Sequence, residues 1–149
     1  MTTIFVNNIK NNQGGNNVKV NQLSGIDTAG SISVQGEGTA TTNLQQGLSK
    51  SWMNLNGTST IATRDSFNVS SIADRGTGLY TQNFTSNMTN DDFAGSGSAQ
   101  ATYQDVDGRN RMMVGDAAST SGVHVNTFDS GGSADDVGMV SSVVHGDLA

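Results

Sequence analysis

From Ser51 onward, apolar and polar residues take turns with a period of two, the spacing at which successive side chains leave opposite faces of a strand. In Ser51–Asn56, Trp52 and Asn54 fall on one face and Met53 and Leu55 on the other. Phe67, Val69 and Ser71 share a face, with Asn68, Ser70 and Ile72 opposite, and Tyr80, Gln82 and Phe84 line one face of a returning strand. The intervening stretch Asp74 to Gly78 carries Gly76 and Gly78, which supply the positive φ that a tight reversal needs. The pattern predicts a hairpin of roughly 66–73 and 79–85.

Further strands are expected at 92–103, 122–129 and 137–145, and 111–115 is short and apolar. In 122–129, Val123, Val125 and Thr127 alternate with His124, Asn126 and Phe128. The last stretch is apolar on both faces, with Val137, Met139 and Val143 against Val140 and Val144, which suits a central or inter-subunit strand. Short strands at such spacing, with turn signals between them, predict an all-β, antiparallel β-sandwich head over 51–149.

The chain before Ser51 is thinner. Residues 1–23 predict short strands at 2–6 and 18–20 around a reversal at Gly14–Gly15, with too little apolar surface to stand alone. This segment is expected to dock on another copy of itself or on a larger particle. Residues 24–50 are rich in Gly, Ser and Thr and read either as a linker or as a stem in which copies of the chain meet around an axis. Ile32 and Val34, two apart, fit the stem, and Leu44–Lys50 is long enough for a helical turn weakened by Gly47.

Composition changes this picture in one respect. Leu, Ile, Val and Phe make up only about one fifth of the 149 residues, a level at the edge of the disordered range. A formal net charge of −6 is too small to complete a disorder signature, so burial between chains is the expected remedy. Seven Lys and Arg are scattered against thirteen Asp and Glu, which argues against a nucleic-acid partner. No apolar run approaches the 18 or so residues of a membrane span, and the opening MTTIFVNNIKNN does not read as a signal peptide. The absence of Cys removes disulfides and thiolate chemistry.

One stretch also resembles a known family. KSWMNLNGTS (50–59), RDSFNVSSI (64–72), DRGTG (74–78), YTQNFT (80–85) and Met88 are similar to a module at the C-terminal ends of tail-fibre and related virion proteins of tailed bacteriophages. The closing NTFDSGGSADDVGMVSSVVHGD (126–147) and the opening IFVNNIKNNQGGN (4–16) are similar to the same proteins. Thr89 stands where that family usually has Pro, Phe93 where it has Tyr, and Arg75 lies inside the turn. The resemblance implies an all-β, usually trimeric virion protein with no catalytic residues to carry over. The resemblance names no receptor; the expected protein is an intertwined homotrimer whose residues 1–23 contact other virion proteins and whose head attaches to a host-surface glycan or protein. Its place would be the virion, after assembly in the host cytoplasm. A capsid-attached head fibre or cement protein is the alternative, and a surface-glycan hydrolase a distant third.

Candidate chemistry is sparse. In the run Asp105 to Asn110, Asp105 and Asp107 offer alternate carboxylates of the kind that hold calcium, but the remaining ligands of such a loop are missing and a solvated turn is preferred. Asp91–Asp92 and Asp135–Asp136 are paired acids with no cleft to frame them as a hydrolase would. His124 and His145 lack a nucleophile-elbow context; around a trimer axis, three copies of His124 would offer a metal or pH-sensitive site. Asn56, Asn68, Asn83 and Asn87 open N-x-S/T sequons that an Asn- and Thr-rich composition explains. Trp52, Tyr80 and Tyr103 are able to stack on sugar rings, although Trp52 is expected in the core or an interface. The reading is therefore a non-catalytic protein without cofactor or metal. Loops bearing Asn90, Asp91, Asp92, Asp105, Asp107, Arg109, Asn110, Asp129 and Asp135 are expected to face a receptor, and Trp52, Leu55, Phe67, Val69, Phe84, Val140 and Val144 to form core or interface.

Overall fold

The computed structural model describes residues 22–23, 32–35, 39–100 and 111–148, with backbone alone over 111–118. The expectations placed on 1–21, on Tyr103 and on Asp105, Asp107, Arg109 and Asn110 lie outside the described residues. What is described is almost entirely antiparallel β-sheet.

A small hairpin comes first, β1 (Ser33–Gln35) against β2 (Thr41–Asn43), followed by the single helical turn α1 (Leu44–Gly47). Asn43 caps that turn by accepting the amide of Gln46 at 3.0 Å. Gln46 also donates to Asp147 at 2.7 Å, and the Lys50 amide donates to the Val144 carbonyl at 2.8 Å. Residue 50 is thus already part of the sheet-bearing body.

Eight strands make two four-stranded sheets. The first, in the order β4 (Ala62–Phe67), β3 (Ser51–Asn56), β10 (Met139–His145), β7 (Ala94–Gln100), places the Val-rich last strand centrally. The second runs β5 (Val69–Gly76), β6 (Leu79–Phe84), β9 (Gly122–Phe128), β8 (Arg111–Ser119). Period-two alternation decides which residues turn inward. Ser51, Met53 and Leu55 of β3 are buried while Trp52, Asn54 and Asn56 are half-buried, and Val123, Val125 and Thr127 of β9 are buried while His124, Asn126 and Phe128 are not. Met53, Leu55, Val140 and Val144 from the first sheet and Tyr80, Phe84, Val123 and Val125 from the second belong to one core cluster, with Met88, Ala99 and Val137. Each Val, Leu, Met or Phe side chain among them contributes about 1.5–3 kcal/mol on leaving water.

A polar trio links the two sheets inside the core. Gln82 is fully buried between the sheets, donating to Ser51 Oγ at 2.7 Å and accepting from Ser142 Oγ at 2.5 Å. A slip of either sheet by one residue would strand these groups, so the trio fixes how the two sheets face one another.

The hairpin differs from the expected 66–73 with 79–85. Its first strand begins at Val69, because the chain leaves the first sheet at Phe67 and enters the second at Val69, with one residue between. Phe67 pairs with Trp52 and Val69 with Phe84, so the face expected to join Phe67, Val69 and Ser71 does not exist. Asn68 makes the crossing, at φ 56°, a left-handed conformation that Asn tolerates better than most residues. Its amide donates to the carbonyls of Lys50 at 2.9 Å and Ser86 at 3.0 Å, and its Oδ1 accepts the Ser86 amide at 2.7 Å. The return from β5 to β6 uses Gly76 and Gly78 at φ 128° and 65°. A side chain at Gly78 would meet the Thr127 carbonyl at 2.5 Å, so that position needs glycine for space as well as for conformation.

Candidate binding face

The expected recognition loops are not gathered in one place. Leu79 pairs with Asn126 and Asn83 with Gly122, so the end of β6 and the end of β9 lie at opposite ends of the second sheet. Asn90, Asp91 and Asp92 follow β6 and are exposed at one end; Asp129 and Asp135 follow β9 at the other. The second group has internal duties. Asp129 accepts the Ser133 amide at 2.9 Å, the Asp135 carbonyl accepts from Thr127 Oγ1 at 2.6 Å, and neighbouring Asp136 accepts the Gly78 amide at 2.6 Å. The first loop is tied to the chain's last residues, since Thr89 donates its amide to the Asp147 carbonyl at 2.7 Å and its hydroxyl to the Leu148 carbonyl at 2.9 Å. A Pro at 89 has no amide hydrogen to give, which accounts for Thr there. The paired acids 91–92 and 135–136 likewise share no cleft.

Of the aromatic residues able to take a sugar, Tyr80 is fully buried. Its one hydroxyl hydrogen is shared between the Gly57 carbonyl at 3.1 Å and Asp136 at 3.0 Å, closing the end of the core. Burial, then the hydrogen bond and charge of Asp136, then the charge of Asp74, push its pKa well above the ordinary value. His124 and His145 belong to different sheets, and among the described residues no group of three or more His, Cys, Asp or Glu is placed to hold a metal ion.

Leu55, Phe84, Val140 and Val144 are buried, Val69 is half-buried and Phe67 is 51% exposed. Trp52 is half-buried on the outer face of the first sheet, where its direct neighbours are Phe67 on β4 and Val143 on β10. The next row across the sheet is polar: Asp65, Asn54, Ser141 and Ser98. An aromatic row beside a polar row faces solvent.

The register between β3 and β4 shifts beside Asn54 and Leu55: Asp65 pairs with Asn54 and Thr63 with Leu55, leaving Arg64 as the extra residue of a bulge. In a regular strand Arg64 and Asp65 would point to opposite faces. The bulge puts both on the outer face, where with Trp52, Asn54 and Met139 they line an open depression of ≈ 450 Å³. Arg64 lies across three segments. One terminal nitrogen donates to Asn54 Oδ1 at 3.3 Å and the Leu55 carbonyl at 3.0 Å, the other to Asn56 Oδ1 at 3.4 Å and the Gly138 carbonyl at 2.6 Å. The guanidinium is thereby a fixed wall. Asp65 is exposed, and one of its oxygens accepts the Ser66 amide at 2.8 Å; among the described residues the other carries no hydrogen bond.

Sequence patterning placed Trp52 and Asn54 on one face but gave no sign of Arg64, Asp65 or Met139 as their neighbours. The segment Ala62–Phe67 (ATRDSF) has no apolar alternation, so the pattern carried no mark of the bulge. Fold and face together define an antiparallel all-β protein with a mixed aromatic and polar outer surface. No family model, curated protein or solved structure matches the chain.

Proposed function

We propose that this protein is a structural component of a tailed-phage virion, a homotrimeric tail fibre or spike whose head is a β-sandwich and attaches to the host surface. The observation that carries this reading is the run of motifs over 50–85 that resembles phage fibre modules. Those motif residues have connected duties: Asn56 and Gly57 end β3, Arg64 spans the outer face, Asn68 makes the sheet crossing, Gly76 and Gly78 form the turn, and Tyr80 closes the core. A sandwich head is supported by the single core cluster drawn from both sheets.

The trimer is supported by apolar side chains near the N-terminal hairpin: Leu23, Val34 and Leu48 are 59%, 48% and 56% exposed. A chain so poor in large apolar residues gains by covering them with its own copies. Residues 1–23 would meet other virion proteins. The protein works by adhesion and positioning, without catalysis, cofactor or nucleic acid.

Adsorption competition tests the attachment step. Host cells incubated with the purified protein are expected to adsorb fewer particles as protein concentration rises. A protein that binds no host cell and leaves adsorption unchanged would overturn attachment. Light scattering of the same sample is expected to give a trimer mass; a stable monomer would contradict the assembly.

A further inference from the structure

The depression on the outer face of the first sheet has the elements of a sugar site. We propose that it binds one neutral pyranose ring, stacked on Trp52 with vicinal hydroxyls donating to Asp65; this rests on the attachment reading and gives it a ligand class. The volume of ≈ 450 Å³ falls within the range of small-molecule sites, roughly 300–1,000 Å³. An indole face is apolar enough to take the C–H side of a sugar, and the neighbouring ring of Phe67 extends the platform along the same row. Asp65 brings a free carboxylate oxygen, the acceptor that forms strong charge-assisted bonds to hydroxyls. Asn54 already accepts from Arg64 and donates to Ser141 at 3.1 Å, and keeps one amide hydrogen for a ligand oxygen.

The hydrogens on both terminal nitrogens of Arg64 are already engaged with protein oxygens, so it shapes the site and leaves recognition to Asp65 and Asn54. That selects against an anionic sugar, as does the chain's charge of −6. A second copy of the chain is the less suitable occupant. Docking on this face would bury Arg64 and Asp65 at the centre of the contact, where interfaces are depleted of charge because desolvation is costly.

Trp52 is the only tryptophan of the chain, so its emission reports this site alone. Full-length protein is titrated with methyl glycosides of glucose, galactose, mannose and N-acetylglucosamine, followed by tryptophan emission and by saturation-transfer NMR. At least one glycoside is expected to give a saturable change with a millimolar dissociation constant. Asp65→Asn, an exposed substitution, is expected to weaken it about tenfold or more without moving the melting temperature. Trp52→Phe, followed by NMR, is expected to weaken it less. Absence of binding to every glycoside, equal binding by Asp65→Asn, or an emission change that tracks protein concentration alone would overturn the proposal. Adhesion to host cells that both substitutions leave intact would remove this site and keep the attachment reading. Saturable, Asp65-dependent binding by a protein that adheres to no host cell would do the reverse.

Discussion

Replacing Asn68 separates the two duties of the residue that carries the chain between sheets. Asn68→Ala removes the bonds to the Lys50 and Ser86 carbonyls and from the Ser86 amide. These bonds are partly solvated, and together their loss costs about 1–2 kcal/mol. Alanine must also hold φ 56° with a Cβ and no side-chain hydrogen bond, a further ~1–2 kcal/mol. The expected loss is about 2–4 kcal/mol, a large share of the 5–15 kcal/mol typical of a domain. Asn68→Gly forfeits the same hydrogen bonds but escapes the steric penalty, at an entropic cost of about 0.5–1 kcal/mol. Glycine should therefore be less damaging than alanine by ~0.5–1 kcal/mol. Urea denaturation followed by the emission of Trp52 measures both, with unchanged slopes showing that the unfolding reaction is the same. Alanine proving milder than glycine, the order a regular strand gives, would refute the crossing at Asn68.

Three further substitutions probe the core. Gly57→Ala would drive a methyl into Tyr80 Oη and to 2.9 Å from the Val137 carbonyl, and should cost about 1–3 kcal/mol by thermal melting. Gln82→Leu leaves Ser142 Oγ without its acceptor and should cost about 1–3 kcal/mol, most of it recovered when Ser51 and Ser142 are also changed to Ala. Tyr80 keeps its proton in the folded state beyond the pH at which the unfolded chain loses it. Its contribution is complete below about pH 10 and declines as pH rises further, because the unfolded state then binds fewer protons than the native one. Subtracting the stability profile of Tyr80→Phe from that of the wild type should leave this alkaline decline; a flat difference from pH 8.5 or so upward would contradict the buried hydroxyl.

The strands were legible because burial alone reads out their period. Met53 and Leu55, or Val123 and Val125, alternate with polar neighbours, and the structure buries them accordingly. The break at Asn68 was hidden because Phe67, Val69 and Ser71 keep the same alternation across it. What ends β4 is a backbone angle and a set of side-chain bonds to Lys50 and Ser86, neither visible in the pattern. The outer face was half legible. Trp52 and Asn54 follow from alternation, whereas Arg64 and Asp65 arrive together through a register shift that only the pairing with β3 defines. Loops were the least legible. Acidic residues at 91–92 and 135–136 look alike in sequence, yet strand register sends them to opposite ends.

As proposed, the protein is a virion part that meets the host. Purified particles labelled with antibody against residues 51–149 and viewed by electron microscopy test this most directly. Label at the distal end of a tail fibre or spike is the result expected. Particles that carry no label, with the protein recovered only free in the lysate, would contradict it.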